Sequence, residues 1–340
     1  MSIEEDWVYT VNGTFRISKN ALRLHRDIKC EYIPLERADD FSVREGLHIK
    51  PMLDGTPLTT DFFKVDCEAS TFQRYMNIHS GVARNNAVFS RQEELTANKE
   101  ASESSPPSLG NISFPPLTPP STQSSKHDSL PSSPLFNSAS LLGLRLNGTT
   151  SFGGTSAALL PILTGRQEEE LPEARRGVPR AQPVDGHPWV WKDFKRHGYV
   201  TAYAEDMAKF GTFQLGMLGF NEQPTDHYMR PFYLEAEKMY KKNFLYCLGT
   251  TPRHRIFMNW FEELFAYTSH PKFFFGFHRE MSRNNNNPVQ ALDEDMVHGE
   301  GKPGAKVGGK FPPCNRLRHV SVPGQKSEIN GVCDLHEEHS

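Results

Sequence analysis

Two runs of β-forming residues near the N-terminus are each interrupted by a turn dipeptide. In WVYTVNGTFRIS (7–18), Asn12-Gly13 suits the positive φ angles of a type I′ turn, which predicts a β-hairpin. In IKPMLDGTPL (49–58), Asp54-Gly55 predicts a second hairpin, whose strand continues through TTDFFKVDC. We therefore expect residues 1–84 to form a small β-rich module.

The pattern changes after residue 84, where apolar periodicity disappears. Residues 85–140 are rich in Ser and Pro, as in FPPLTPPSTQSSKHDSLPSSP, which predicts a disordered linker. Its S-P and P-x-x-P pieces are typical of phosphosites and of ligands for proline-binding domains, but an unstructured spacer is the simpler interpretation. Residues 298–340 are Gly/Lys-rich at their start and lack periodicity, which predicts a disordered tail.

Helical spacing returns between residues 141 and 297. HPWVWKDFKRHGY (187–199) carries apolar residues at helical spacing and ends at Gly198, a favoured residue after a helix. Three further helices are predicted over 229–244, over 255–267 and from Asn287-Pro288 onward. YVTAYAED and KFFFGFH are predicted as strands. Strands that alternate with helices predict an α/β sheet with flanking helices.

Composition and charge exclude several classes of function. Hydrophobic residues make up 37% of the 340, which indicates that part of the chain lies outside any core. The net charge is −3 and no dense Lys/Arg block is present, so we expect no nucleic-acid partner. No apolar run is long enough to span a bilayer. The start, MSIEEDW, is acidic where a signal peptide is basic and then apolar, so we expect no signal peptide in it.

The five cysteines include no C-x-x-C pair, so neither a zinc knuckle nor a redox motif is supported. Cys30 and Cys67 both lie in the β-rich module, and two interpretations stay open: a disulfide in an exported chain or two buried thiols in a cytosolic one. The sequons at Asn12, Asn111 and Asn147 are candidate glycosylation sites in a secreted chain.

Candidate chemistry lies at the ends of predicted strands. Glu205 and Asp206 end one strand and His278 ends another, and sites in α/β sheets gather at the carboxyl ends of strands. Asp226 and His227 lie between them in an irregular stretch. Such carboxylates and imidazoles can bind a divalent metal and prepare an oxygen nucleophile. The simpler interpretation is that they are structural groups with protein partners.

Thr155 follows two glycines and precedes SAALLPILTG, which predicts a loop-to-helix transition. A hydroxyl at the start of a helix suits two roles, as an N-cap or as a nucleophile beside a bound anionic ester. A threonine hydroxyl needs a base or a metal to become a nucleophile, so the spacing alone favours the cap.

Several segments, taken in order, resemble the animal domain-of-unknown-function family 229, whose core is similar to the alkaline phosphatase and sulfatase superfamily. The matching segments are GTSAALLPILTG (154–165), HGYVTAYAED (197–206), GFNEQPTDHYMRPF (219–232), CLGT after Tyr246, FFFGFHREMS (273–282) and ALDEDMV (291–297). CEYIPLERADDF (30–41) and TTDFFKVDC resemble the family's leading module.

The resemblance implies an extracellular, metal-dependent phospho- or sulfo-ester hydrolase fold with Thr155 at the nucleophile position of a G-D-x-T-like turn. The chain departs from that pattern where the metal is held. The family's first core strand, with its Asp ligand, is absent, and Gly153 replaces the Asp of the turn. Arg283 and Asn284 replace a histidine and an aspartate, and the later S-D-H-G segment does not occur.

These departures predict a catalytically incomplete relative on an incomplete sulfatase-like sheet, because a metal site without its anionic ligands does not hold a divalent cation tightly. Such a chain is either a non-enzymatic paralogue or the product of a truncated or mis-spliced gene model. The alternative hypothesis is a working metallohydrolase with Asp206, Asp226, His227 or His278 as ligands. The sequence identifies no substrate and no partner.

Overall fold

The computed structural model describes residues 6–70, 72–102, 154–240, 247–249 and 251–281, with two short strands at 317–318 and 332–333. Several sequence predictions therefore lie outside the described residues. These are the Ser/Pro-rich run beyond residue 102, the sequons at Asn111 and Asn147, the turn position Gly153, the helix predicted from Asn287-Pro288, the positions Arg283 and Asn284, and most of the tail.

The N-terminal part is antiparallel. Its strands are β1 (Val8–Val11), β2 (Thr14–Ile17), β3 (Lys29–Arg37), β4 (Val43–Glu45), β5 (Ile49–Met52), β6 (Phe62–Glu68) and β7 (Arg74–Ser80), with helix α1 (Lys19–Leu24) after β2. The predicted hairpin of β1 and β2 is confirmed, because Asn12 and Gly13 both have positive φ, 50° and 67°. A Cβ on Gly13 would also come within 2.7 Å of the Val82 carbonyl oxygen.

The second predicted hairpin is wrong in its pairing. Both β5 and β6 pair with β3, on opposite edges, in a sheet of order β4-β3-β6-β7 with β5 beside β3. The turn at Asp54-Gly55 does form, but the turn and the residues after it bond to the first hairpin: Gly55 N–H donates to the Phe15 carbonyl and Leu58 N–H to the Gly13 carbonyl. The chain then crosses to the far edge of β3 before β6 begins.

Cys30 and Cys67 face each other across β3 and β6 and form a disulfide with an S–S distance of 2.06 Å. Both residues are buried among the aromatic side chains of Trp7, Tyr32 and Phe63. Cys247 is disulfide-bonded as well. The structure therefore contains the disulfide rather than two free thiols.

The C-terminal part is α/β, as the sequence predicts. Its helices are α3 (Thr155–Thr164), α4 (Val190–Arg196), α5 (Arg230–Met239) and α6 (Arg253–Tyr267), and its strands are β8 (Val200–Glu205), β9 (His227–Tyr228), β10 (Cys247–Leu248), β11 (Thr251–Pro252) and β12 (Lys272–Phe277). β8 is fully buried and lies between β12 and β9, parallel to both. The helices predicted over 187–199, 229–244 and 255–267 correspond to α4, α5 and α6. None of the helices within the described residues is long and apolar enough to cross a membrane.

Two segments differ from the predicted disorder. Asn86–Ser102, inside the predicted linker 85–140, forms helix α2. The helix is held by tertiary contacts, because Val88 is fully buried and Arg91 binds Asp226 and the Tyr199 carbonyl. In the predicted tail, β13 (Leu317–Arg318) pairs with β14 (Val332–Cys333).

One hydrophobic cluster joins the two parts. Phe62 of β6 packs against Phe232 of α5 and Trp260 of α6, with ring centroids 5.9 Å apart in both pairs. The opposite face of the N-terminal sheet packs on β1, β2 and α1 in a separate cluster. The N-terminal sheet is therefore covered on one face by its own hairpin and on the other by the α/β part. The division at residues 84, 140 and 297 stays a prediction.

Candidate functional site

The carboxyl end of β8 carries two buried acids with different partners. Glu205 accepts hydrogen bonds from Thr212 N–H at 2.9 Å, from Thr212 Oγ1 at 2.7 Å and from the Tyr203 hydroxyl at 2.9 Å. Arg279 Nη1 lies 3.3 Å from the same carboxylate. Burial raises the pKa of Glu205 in spite of these donors. Glu205 therefore anchors the loop after β8 and is enclosed by protein donors.

Asp206 and His278 lie together, as expected for residues that follow neighbouring parallel strands. Asp206 accepts the backbone N–H of Arg279 at 3.0 Å and that of Glu280 at 2.8 Å, one on each carboxylate oxygen. His278 Nε2 is 3.3 Å from Asp206 Oδ2. Burial lowers the pKa of His278, so the imidazole is neutral at neutral pH. Asp206 thus fixes the chain after β12.

Asp226 lies elsewhere, because it precedes β9 and so stands beside the amino-terminal half of β8. It binds Arg91 Nη2 at 2.8 Å, Lys195 Nζ at 2.9 Å and Thr201 N–H at 3.0 Å. Burial by itself raises the pKa of Asp226, but Arg91, the Thr201 N–H and Lys195 outweigh it and hold the pKa at about 2. Asp226 is a structural anion with its own cations.

His227 points to the N-terminal sheet. Its Nδ1 is 2.7 Å from Asp61 Oδ2, and its ring meets Tyr267 edge-on. Burial alone lowers the pKa of His227, yet the Asp61 carboxylate raises it above its ordinary value. The four candidate ligands therefore separate into the Asp206–His278 pair and two residues with other partners.

Thr155 is not an N-cap, so the cap predicted from spacing is wrong. Gly154 holds the N-cap position of α3 with φ 85°, and no side chain caps the helix. Thr155 is the first helical residue, and no hydrogen bond among the described residues involves its hydroxyl. Ser156 Oγ donates to the Thr212 carbonyl at 2.9 Å, which ties the start of α3 to the loop that Glu205 anchors.

A divalent metal does not fit the acids and imidazoles in the described part of the chain. Among those residues no three His, Cys, Asp or Glu side chains converge, whereas catalytic zinc sites use three protein ligands. The Asp206–His278 pair supplies two at most. Both Asp206 oxygens accept backbone N–H groups, which tie the carboxylate to the chain after β12.

The sequence did not indicate the role of Asp40, a buried residue that hydrogen-bonds the N-terminal part of the fold to the α/β part. Asp40 is 2% exposed and accepts hydrogen bonds from Gln214 Nε2 at 2.7 Å, Phe220 N–H at 2.9 Å and the Tyr228 hydroxyl at 3.0 Å. Arg230 donates from Nε to the Asp40 carbonyl oxygen at 2.6 Å. No local sequence signal identifies Asp40, because its hydrogen-bond partners lie more than 170 positions away.

A cleft of about 650 Å³ lies between β1, β7 and α6, away from the end of β8. Glu263 of α6 lines it and accepts hydrogen bonds from Thr10 Oγ1 and from Val82 N–H. Burial raises the pKa of Glu263 to about 7, and the Asp61 carboxylate adds to the shift. No Lys or Arg is among the described residues that line the cleft.

We expect the protein to lose stability as pH rises from mildly acidic values through about 7. The folded protein keeps the Glu263 proton up to about pH 7, whereas an unfolded Glu loses it near 4.5, so this contribution is lost as pH rises through the folded pKa. Glu263→Gln keeps the shape of the protonated acid. Urea unfolding should show it close to wild type at about pH 5 and more stable by about 1–3 kcal/mol at about pH 8.

The control for this pH dependence is Glu68→Gln, which changes an exposed carboxylate on β6. It should follow the wild-type curve at both pH values. An equal stability difference between Glu263→Gln and wild type at pH 5 and pH 8 would show that Glu263 does not titrate in this range.

A family model described as "Protein of unknown function (DUF229)" matches residues 3–299. The chain belongs to this family. The match includes the N-terminal sheet, α2 and the α/β part, and it confirms the resemblance seen in the sequence segments. Comparison with curated proteins and with solved structures finds no match. Of the candidate glycosylation sites, Asn12 is exposed at the tip of the first hairpin.

Proposed function

We propose that this DUF229 protein is a catalytically incomplete relative of metal-dependent phospho- and sulfo-ester hydrolases, and that it acts as a binding or structural protein. The observation that carries the proposal is the state of Asp206. Both carboxylate oxygens of this acid, a candidate ligand in the alternative hydrolase hypothesis, accept backbone N–H groups from the segment after β12, so Asp206 serves the fold.

The chemistry of the other acids supports the same proposal. Glu205 is enclosed by Thr212, Tyr203 and Arg279. Asp226 is neutralised by Arg91 and Lys195. Protein cations and donors satisfy the charge of these buried carboxylates, whereas a metal centre requires several convergent protein ligands.

Within the described part of the chain, Thr155 has no activator. A threonine hydroxyl needs a neighbouring base or a metal to lower its pKa. No hydrogen bond among the described residues links the Thr155 hydroxyl to a base. The alternative function is a working ester hydrolase with Thr155 as nucleophile. It requires a metal bound beside the loop after β8, to which the start of α3 is tied.

We also propose that the protein works outside the cell. The buried Cys30–Cys67 disulfide and the second disulfide at Cys247 support this location, because such bonds persist in oxidising compartments. The exposed sequon at Asn12 is compatible with it and is a proposed glycosylation site.

Calorimetric titration of the chelator-treated protein with Zn²⁺, Mn²⁺, Ca²⁺ and Mg²⁺ tests the proposed function. We expect no saturable binding of any of the four ions, and we expect Asp206→Asn and His278→Ala to give the same heats as wild type. Saturable binding to wild type that both variants lose would establish a metal site at the carboxyl end of β8 and overturn the proposal.

A further inference from the structure

Strand β12 stands at the edge of the parallel sheet but has the sequence of an interior strand. The sheet order is β12-β8-β9, and within the described residues no strand pairs with the outer side of β12. Its sequence, KFFFGF, is apolar after the first residue. Strands buried on both faces, with neighbours on both sides, have such continuous apolar runs.

The hydrogen-bond register shows which groups of β12 face outward. Val200 N–H donates to the Pro271 carbonyl at 2.9 Å, and the parallel register places Phe273 opposite Thr201. Because successive residues of a parallel strand bond to alternate sides, the odd-numbered residues bond to β8. The N–H and C=O groups of Lys272, Phe274 and Gly276 therefore point away from the sheet.

This edge lacks the features that keep edge strands from pairing. It contains no proline and no bulge, and exposed Gly276 adds no side chain that would hinder a neighbouring strand. The Lys272 ammonium donates to the carbonyl oxygens of Thr268 and His270, so its charge does not lie along the edge where it would repel another strand. Among the described residues, none blocks the approach of another strand to this edge.

The outward groups of β12 complement those of a second β12 that runs antiparallel. With Phe274 opposite Phe274 of the second copy, Lys272 lies opposite Gly276 and Gly276 opposite Lys272. All three outward-facing residues then pair with outward-facing residues, as hydrogen-bonded pairs of an antiparallel ladder. A two-fold axis through this register makes the contact self-complementary, as in most homodimers.

An apolar strip on helix α6 continues from this edge. Phe274 contacts the ring of Phe261 at 4.9 Å, and Phe261 contacts Phe265 at 4.6 Å. Phe265 is 38% exposed. The two-fold axis places the α6 helices of both copies on the same face of the joined sheet, where these rings can be buried against each other.

We propose that β12 pairs antiparallel with β12 of a second copy of this chain, centred on Phe274. The two three-stranded sheets then form one continuous sheet of six strands. The partner is a second copy of the chain because one two-fold axis pairs the outward backbone N–H and C=O groups of the two strands and also brings the adjacent phenylalanines of the two copies together.

Sedimentation velocity and oxidative cross-linking of the full chain test this dimer. Wild type should sediment as a dimer, and Lys272→Pro, which removes an outward N–H at the first residue of the strand, should sediment as a monomer. Phe274→Cys should cross-link under mild oxidation, because directly opposed residues have Cα atoms about 5.5 Å apart.

The matched control is Phe275→Cys on the same strand. In the proposed register Phe275 lies opposite Phe273 of the second copy, so the thiols introduced by Phe275→Cys in the two copies are too far apart to bond, with Cα atoms beyond about 7 Å. Equal cross-linking of both variants would overturn the register. A monomeric wild type at all concentrations would overturn the dimer, whether or not the cysteine variants fold.

Discussion

Replacing Asp40 with alanine is expected to lower the free energy of unfolding by roughly 3–5 kcal/mol. The substitution leaves the Gln214 amide, the Phe220 N–H and the Tyr228 hydroxyl without their acceptor, all in buried positions. Arg230, 5% exposed, also loses the nearby carboxylate, whose Oδ1 lies 3.9 Å from its Nε. Unpaired buried donors and an uncompensated buried cation are among the most destabilising changes in proteins.

Asp39→Ala is the matched control for Asp40. Asp39 is exposed and binds Phe41 N–H and Ser42 Oγ within its own turn. Its loss should cost about 1 kcal/mol or less. Urea unfolding of both variants, followed by fluorescence, gives the comparison; similar losses for Asp39→Ala and Asp40→Ala would show that Asp40 does not join the two parts of the fold.

Removing the Cys30–Cys67 disulfide is expected to cost about 4 kcal/mol of unfolding free energy. The two cysteines are 37 positions apart, and closing a loop of that length restricts the unfolded chain by this amount in the chain-entropy account. The double variant Cys30→Ala, Cys67→Ala isolates this bond from that of Cys247. The free energies of unfolding of wild type and the double variant are measured in urea without reductant. Equal values for the two proteins would contradict the expected contribution of the disulfide.

The redox state of Cys30 and Cys67 in exported protein is a second test of the disulfide. Protein exported from expressing cells behind an added signal peptide should contain no free thiol at Cys30 or Cys67 after alkylation and peptide mass analysis. Alkylation of both residues in native, freshly secreted protein would contradict the bond and remove its support for that location.

Local signals account for the elements that the sequence predicted. Asn12-Gly13 favours a turn with two positive φ angles through its own conformational preference, and such a turn forms. The apolar spacing of α5 and α6 and the continuous apolar run of β8 likewise depend only on nearby residues. These parts of the fold were therefore accessible without tertiary information.

Long-range pairing accounts for the differences. The sequence predicts strands on both sides of Asp54-Gly55, but only the contacts of β5 and β6 with β3 and of the turn with the first hairpin decide which edge each strand occupies. Helix α2 has a polar sequence and is held by Asp226 and by burial of Val88. Neither effect appears in composition or periodicity.

The candidate site follows the same division. Asp206 and His278 meet because they follow neighbouring parallel strands, which sequence pattern predicts. Asp226 does not join them, because it precedes the two-residue strand β9 and so lies beside the other half of β8. A strand so short leaves no pattern in the sequence, and its direction decides where Asp226 lies.

Hydrolysis of aryl phosphate and aryl sulfate by wild type and Thr155→Ala, with each metal and with chelator, tests the central claim most directly. A bound metal contributes several kcal/mol to such a transition state, and each 1.36 kcal/mol is about tenfold in rate. The account predicts equal background rates for both proteins under all conditions. Metal-dependent turnover by wild type that Thr155→Ala abolishes would contradict it.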